Sequence, residues 1–345
     1  MSIAEQLTEE LQIELWQTEA VISLIDEGNT IPFIARYRKE KHGSLNDEQL
    51  RNFSERLAYL RNLAEKKEQV IASIEEQGLM TDELRVKIQE AKTQVAVDDL
   101  YRPYRPKKKT RATIAKAKGL EGLANIILLQ MTGTPVEDEA KAYISEEKEV
   151  LTAEDAINGA SDIIAEFISD NADYRTAIRR LTKNEGTLIS AAKDPDAQSV
   201  YENYYEFEEA VPKLSGYKVL AINRGEKEKF LNVKINAPED SIIRYLTKNI
   251  ITHDNKYTTP ILEAAIEDSY SRLIAPSIER DIRNDLTLMA ENGAINVFGS
   301  NLKQLLMQPP IAGQVVLGWD PAFRTGCKLA VVDQTGKVLD TAVVY

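Results

Sequence analysis

A dense run of basic residues, interleaved with tyrosines and prolines, occupies residues 98–119 as DDLYRPYRPKKKTRATIAKAKG. Arginine forks fit phosphate oxygens and aromatic faces stack on nucleobases, so this composition is typical of a nucleic-acid contact. Because Pro103 and Pro106 oppose helix formation, we predict an extended loop whose lysines point into solvent. The candidate binding residues of this basic loop are Tyr101, Arg102, Tyr104, Arg105, Lys107, Lys108, Lys109 and Arg111. The alternative is docking on the protein's own acidic surface, such as Glu202, Glu206, Glu208 and Glu209.

A second basic segment, residues 36–41, follows the apolar run from Ile31 to Ala35 and contains Tyr37. Its candidate nucleic-acid-binding residues are Arg36, Arg38 and Lys39. The competing interpretation is a solvated helix end whose cations pair with nearby carboxylates, an arrangement that contributes little to stability. Those carboxylates would be Glu40, Asp47 or Glu48.

A third motif, VVLGWDPAFRTGCKLAVVD, predicts two strands that end in Asp320 and Asp333, the first of them buried. RNase H-like nucleases use an aspartate on their first strand to help hold divalent metals. Such a site needs further carboxylates, and none can be assigned from the strands present. Asp320 is therefore only a vestigial candidate, and we expect no catalytic residue and no cofactor. A metal-dependent nuclease of the RNase H or resolvase type stays the alternative function of the full-length protein.

Other chemistry finds no support in the sequence. His42, His253 and Cys327 do not have the spacing of zinc ligands, so we expect no metal site. Neither a Gly-rich phosphate loop of the GxxxxGK[ST] type nor a GxSxG elbow occurs.

The composition limits where a nucleic acid could bind. The 345 residues carry a net charge of −12, with 43% apolar and 28% charged residues, as in ordinary soluble proteins. Phosphate attraction needs local lysine and arginine density that exceeds the surrounding repulsion, so we expect contacts confined to patches. The acidic segment around Glu202–Glu209 gives a third hypothesis, a scaffold that docks basic protein partners.

The cell compartment is predicted from what the chain contains. Cys327 is a single cysteine and cannot form an internal disulfide, and the N-terminus is acidic and amphipathic, so we expect a cytoplasmic protein. No stretch approaches the roughly 18–20 apolar residues of a membrane span, and we expect no membrane partner.

The apolar pattern predicts a mainly α fold. Helical spacing runs from Ile3 to about Met131, with short helices over the first hundred residues, and a second helical block runs from Pro135 to about Ala192. Thr81 and Thr152 are predicted to cap helices. A β-hairpin is predicted from Lys218–Asn223 and Phe230–Ile235 around a turn at Arg224-Gly225-Glu226.

The C-terminal third is predicted to change from helices to strands. Helical patterning from Pro260 to about Asn292 suggests one long helix, which Pro276 could kink. Three strands then follow, with a turn at Gln334-Thr335-Gly336, as the opening of a larger α/β domain. We therefore divide the chain into residues 1–195, 196–310 and 311–345.

Three segments, TIPFIARYRKEKHGSL, DDLYRPYRPKKKTRATIAKAKGLEGLA and VVLGWDPAFRTGCKLAVVD, resemble signatures of the bacterial Tex family. VLAINRGEKE and IEDSYSRLIAPSIERDIRNDL support the resemblance, which runs from about residue 3 to the last residue. It implies a helical N-terminal region with a helix-turn-helix-like part, a long connecting helix and the first strands of a YqgF-type, RNase H-like α/β domain. Ala322 stands where the family turn has glycine, which reduces backbone freedom beside Asp320.

The resemblance also implies a function. Tex-family members are regarded as transcription accessory factors, in which helix-hairpin-helix elements and an OB-fold RNA-binding domain follow the region seen here. We therefore expect the N-terminal part of a longer, non-catalytic scaffold that binds RNA or DNA, with RNA polymerase or other transcription proteins as possible partners.

Overall fold

Helices make up most of the structure, a computed structural model that describes residues 2–309 and 311–345. The N-terminal helices are α1 (Ile3–Leu11), α2 (Leu15–Asp26), α3 (Ile31–Tyr37), α4 (Lys39–His42) and α5 (Asp47–Glu76). Ser2 and Asn46 begin α1 and α5 with reciprocal capping boxes, which satisfy backbone N–H groups that a helix start leaves unpaired. α5 has 30 residues, so the expectation of short helices throughout this region was wrong.

Two apolar clusters hold the first hundred residues together. The first cluster lies among α1 to α5, and its buried residues are Leu7, Val21, Leu24, Ile34, Leu45, Leu50, Phe53, Leu57 and Leu60. The second cluster continues along α5 to α6 (Asp82–Glu90) and α7 (Gln94–Tyr101), and its buried residues are Leu63, Val70, Ile74, Ile88 and Val97. The long helix α5 therefore serves both clusters.

The middle of the chain is a second set of helices. These are α8 (Arg111–Ala117), α9 (Glu121–Leu129), α10 (Val136–Ala140), α11 (Ala153–Asp170) and α12 (Ala172–Glu185). The predicted caps are confirmed: Thr81 Oγ1 accepts the Leu84 N–H at 3.2 Å, and Thr152 Oγ1 accepts the Asp155 N–H at 3.0 Å. The helical prediction to Ala192 was wrong, because Gly186 ends the helix and Thr187–Ala192 forms strand β1, in which Leu188 and Ser190 are buried and their neighbours are not.

The predicted hairpin was also wrong. Residues Gly216–Lys227 form helix α13, and only the second half, β3 (Leu231–Asn236), is a strand. Val219, Ile222 and Gly225 are buried at three-residue spacing, so the helix places them on one face. This strand joins β1 and β2 (Glu206–Ala210), which lie earlier in the sequence, in a sheet with the order β2-β1-β3.

Further helices follow β3, and the last of them is 32 residues long. They are α14 (Glu239–Ile250), α15 (Thr259–Asp268) and α16 (Ala275–Leu306), with a π-helical segment Ser269–Ile274 joining the last two. The predicted long helix is thus confirmed, and the π-helical segment lies just before Pro276, the second residue of α16. Because proline has no N–H to donate to the carbonyl one turn earlier, this irregularity has an identifiable cause. No helix of the described residues has both the length and the apolar character of a membrane span.

The final strands form the predicted antiparallel meander. β4 (Val316–Asp320) pairs with β5 (Cys327–Val332), and β5 pairs with β6 (Val338–Val344). The predicted turn holds Gly336 at φ +85°, a conformation that favours glycine. The prediction that the strand ending at Asp320 is buried was wrong, because β4 exposes every side chain except the half-buried Val316.

Two compact units contain the described residues. The first comprises Met1–Leu188, Ala210–Pro212 and Lys234–Ile282. The second comprises Ile189–Glu209, Lys213–Val233 and Arg283–Tyr345. The three-part division of the chain stays a prediction.

Candidate nucleic-acid interface

The basic loop lies in the first unit, between α7 and α8. Residues Arg102–Tyr104 extend α7 by a 3₁₀ turn, a geometry that accepts Pro103 because its first N–H groups need no partner. The backbone becomes extended at Arg105, and α8 begins after Thr110, whose Oγ1 accepts the Thr113 N–H at 3.1 Å. The prolines therefore exclude an α-helix as predicted, but the loop proper is shorter, residues 105–110.

Two cations of the basic loop are bound to the protein itself. The Lys107 ammonium hydrogen-bonds to the Asp170 carboxylate and lies 3.4 Å from Glu166 Oε2. Arg102 Nε lies 3.3 Å from Asp170 Oδ1. The predicted alternative, docking on an acidic surface, thus holds for these two residues, with partners on α11. Glu209, one of the partners that the sequence suggested, pairs with Lys218 at 2.9 Å.

Asp170 is the anchor of this contact. Only 8% of the residue is exposed, at the C-terminal end of α11. Burial raises the pKa of its carboxyl, and the charges of Lys107 and Arg102 counteract that rise. Lys107 consequently neutralises a carboxylate that would be costly to bury alone.

The remaining cations of the basic loop face solvent. Arg105, Lys108, Lys109 and Arg111 are exposed. Within the described residues, none of the four has an ion pair or a side-chain hydrogen bond. Lys109 has φ +49°, in the left-handed region, where a non-glycine residue is uncommon. These four side chains form the solvent-facing part of the predicted surface, in which Arg111 also interacts electrostatically with Asp162 and Asp268.

The two tyrosines of the loop have structural contacts. Tyr101 and Tyr104 pack against the second apolar cluster, and both are half-buried. The Tyr101 hydroxyl also hydrogen-bonds to Ser73 Oγ at 2.9 Å. Their rings therefore contribute first to the fold, and the solvent-facing chemistry of the loop is cationic.

The second basic segment lies on α3 and α4. Arg36 and Lys39 are exposed and line a shallow depression together with Asp47 and Arg51. Asp47 pairs with Arg51 at 3.0 Å. The Arg38 guanidinium stacks over the Phe33 ring at 5.1 Å from its centroid.

The two basic segments are supported by different parts of the core. Ile34 of α3 belongs to the first cluster, whereas Tyr104 of the basic loop packs on the second. The two segments therefore pack on different clusters, which share the long helix α5.

A buried ionic network behind the basic loop was missed by sequence reasoning. Arg175 is only 2% exposed; its Nε donates to Asp99 Oδ1 at 2.6 Å and its Nη2 to Ser277 Oγ at 2.6 Å. Arg179 Nη2 lies 2.8 Å from Asp99 Oδ2 and 3.0 Å from Asp281 Oδ2. One signal was available, because Arg175 shares the helical face of the buried residues Ile178 and Thr182.

The aspartates of the meander do not form a metal site. Asp320 is exposed opposite Lys328, at the end of β4 remote from Asp333. The Asp333 carboxylate accepts the backbone N–H groups of Thr335 at 2.8 Å and Lys337 at 3.0 Å, which holds the turn before β6. Across residues 2–309 and 311–345, no three side chains of the metal-ligating types converge. Neither aspartate of the meander belongs to such a group in the described part of the chain.

Three family models match the chain. The Tex-like protein N-terminal domain matches residues 1–75, the Tex central region 132–298 and the YqgF-like domain of Tex proteins 314–345. The basic loop lies between the first two matches.

Individual relatives align over nearly the whole chain. Protein YdcI of Bacillus subtilis is 51% identical over 99% of the chain, and the transcriptional accessory protein Tex of Neisseria gonorrhoeae is 38% identical over 100%. The human S1 RNA-binding domain-containing protein 1 is 33% identical over 99%. The chain spans 48%, 46% and 36% of these relatives, respectively. By the order and extent of these matches, the chain belongs to the Tex family.

Proposed function

We propose that this chain is a nucleic-acid-binding part of a transcription accessory factor and that it acts without catalysing a reaction. The observation that carries the proposal is the group of exposed, unpaired cations on the basic loop of an otherwise acidic protein: Arg105, Lys108, Lys109 and Arg111. Two relatives support it by name, one as a transcriptional accessory protein and one for its S1 RNA-binding domain.

The charges of the basic loop have two different roles in this proposal. Lys107 and Arg102 fix the loop on Asp170, and the fixed loop then presents its other cations with little further ordering. Phosphate contacts of this kind attract a strand without reading its bases. Arg36, Arg38 and Lys39 provide a second surface. Tyr101 and Tyr104 are weaker candidates for binding, because the core already covers them in part.

The non-catalytic part of the proposal is supported by the meander. Asp333 holds a turn, and Asp320 belongs to no group of three or more metal-ligating side chains among the described residues. A two-metal nuclease needs several such oxygens around one point.

The protein partner and the compartment belong to the same proposal. We propose RNA polymerase or another transcription protein as partner, and the cytoplasm as location, from the accessory role in the gonococcal relative's name. Retention of RNA polymerase subunits on the immobilised chain, in nuclease-treated extract, would support a direct protein contact.

The binding test is fluorescence anisotropy with labelled single-stranded RNA, single-stranded DNA and duplex DNA, at roughly 50 and 200 mM salt. The variant is Lys108→Glu/Lys109→Glu, which leaves the Lys107 contact intact. Its control, Lys227→Glu/Lys229→Glu, makes the same change of net charge at two exposed lysines of the second unit.

The proposal predicts that affinity falls at least about tenfold in the loop variant for every bound strand, because phosphate contacts are not sequence-specific. The control should keep the wild-type affinity. Equal affinity of the two double variants would overturn the assignment to the loop, and no binding at low salt would overturn the proposed function.

A further inference from the structure

A cleft of about 400 Å³ opens in the first unit beside the basic loop. It is lined by side chains of α7, the 3₁₀ turn, α11, α12 and the long C-terminal helix. Its basic lining residues are Arg102, Arg105, Lys107, Arg175 and Arg280. The volume lies in the range of sites that take small ligands or parts of larger ones.

Arg175 lies at the floor of the cleft with one unused donor group. Its Nε and Nη2 are bound to Asp99 and Ser277, but Nη1 is buried and has no hydrogen-bond partner within the described residues. A buried guanidinium donor without a partner costs free energy, which a bound acceptor would recover. Burial and the nearby charge of Arg102 both lower the pKa of Arg175, as expected where positive charge is not fully compensated.

Every carboxylate that lines the cleft has a cationic partner. Asp98 pairs with Lys66 at 2.8 Å, and Asp99 and Asp281 pair with Arg179. Asp170 and Glu166 pair with Lys107. With Lys66 and Arg179 included, seven cations surround the five carboxylates of the lining, so the cleft keeps a net charge of about +2.

The cations at the mouth of the cleft are free. Arg105 and Arg280 are exposed, and neither has an ion pair or a side-chain hydrogen bond in the part of the chain that the structure describes. Two free guanidinium forks above a buried third are suited to the several oxygens of a phosphate group.

We propose that this cleft binds one phosphate group, with Arg175 Nη1 as the buried donor and Arg105 and Arg280 as the outer donors. The phosphate is that of a nucleic-acid strand that continues over Lys108 and Lys109, and this part of the inference rests on the proposed function. The cleft then fixes one phosphate in position, while the exposed lysines add salt-sensitive attraction along the strand.

The first arm of the test needs no nucleic acid. Thermal unfolding is followed with millimolar pyrophosphate against sodium chloride of equal ionic strength, for the wild type, Arg105→Gln, Arg280→Gln and the control Arg244→Gln. Arg244 is an exposed arginine of the same unit outside the cleft. Pyrophosphate should raise the Tm of the wild type and the control by about 2 °C or more, and each cleft variant should lose most of that rise.

The second arm measures single-stranded RNA binding of the same four proteins. Arg105→Gln and Arg280→Gln should each weaken binding about three- to tenfold and reduce the slope of log Kd against log salt by about 0.7. Arg244→Gln should do neither. RNA binding that is unchanged in the cleft variants, alongside intact pyrophosphate protection, would overturn the strand assignment and leave a site for a free phosphate compound. Absence of pyrophosphate protection in the wild type would overturn the phosphate site, whether or not RNA binds.

Discussion

Lys107 and Lys108 are adjacent in the sequence but have opposite environments. The Lys107 side chain is 20% exposed and bound to Asp170, whereas Lys108 is exposed. The basic composition of the loop could be predicted from the sequence, but this division could not, because it depends on where the end of α11 lies. The glutamates suggested as docking partners were chosen by charge alone, and charge does not encode proximity.

Replacing Lys107 should cost stability in a pH-dependent way. Lys107→Met leaves Asp170 buried without its ammonium partner, and we expect a loss of roughly 1–3 kcal/mol near neutral pH. Lys107 lowers the pKa of Asp170, so its removal raises that pKa further and the folded variant holds the proton more tightly than the unfolded chain does. The stability loss of Lys107→Met should therefore shrink as the pH falls through the pKa of Asp170 in the folded variant.

Urea unfolding at about pH 7 and about pH 4 measures this effect, with Lys108→Met as the matched control. The control should stay within about 0.5 kcal/mol of the wild type at both pH values. A Lys107→Met deficit that is the same at both would contradict the role assigned to Asp170.

At the level of elements, the sequence correctly predicted helix caps and a turn, which depend on contacts between neighbouring residues. Caps at Thr81 and Thr152, and the turn before β6, were predicted because a few neighbouring residues determine them. The hairpin failed because Arg224-Gly225-Glu226 has turn composition, while the glycine is required for a different reason. Gly225 lies within α13, and a Cβ there would stand 2.6 Å from Leu231 Cδ1 and 3.1 Å from Tyr201 Cδ1.

This close approach makes Gly225 a packing residue that can be tested. Gly225→Val should destabilise the protein by about 1–3 kcal/mol, because the added methyl groups enter occupied space beside the fully buried Leu231. Gly293→Val is the control, a helical glycine whose Cβ would meet nothing within 4 Å. Chemical denaturation should show the control unchanged or slightly stabilised, since valine has the better helix propensity. Equal effects at the two glycines would show that Gly225 does not serve packing.

At the scale of the whole molecule, a net charge of −12 confines any attraction for nucleic acid to places where cations are concentrated and unpaired. The fold class and the meander could be predicted from the apolar pattern of the sequence and from its resemblance to the Tex family. The ionic network of Asp99, Arg175, Arg179 and Asp281 could not be predicted, because its hydrogen bonds join residues that lie up to 102 positions apart in the sequence. Asp99, Arg175 and Asp281 of that network line the cleft beside the basic loop.

The central claim is that the exposed lysines of the basic loop contact phosphates. Its most direct test is the slope of log Kd against log salt for single-stranded RNA, measured for the wild type, Lys108→Gln/Lys109→Gln and Lys227→Gln/Lys229→Gln. Two lost phosphate contacts should make the slope of the loop variant shallower by about 1.4, and the control should keep the wild-type slope. A loop variant that binds with the wild-type slope would contradict the account.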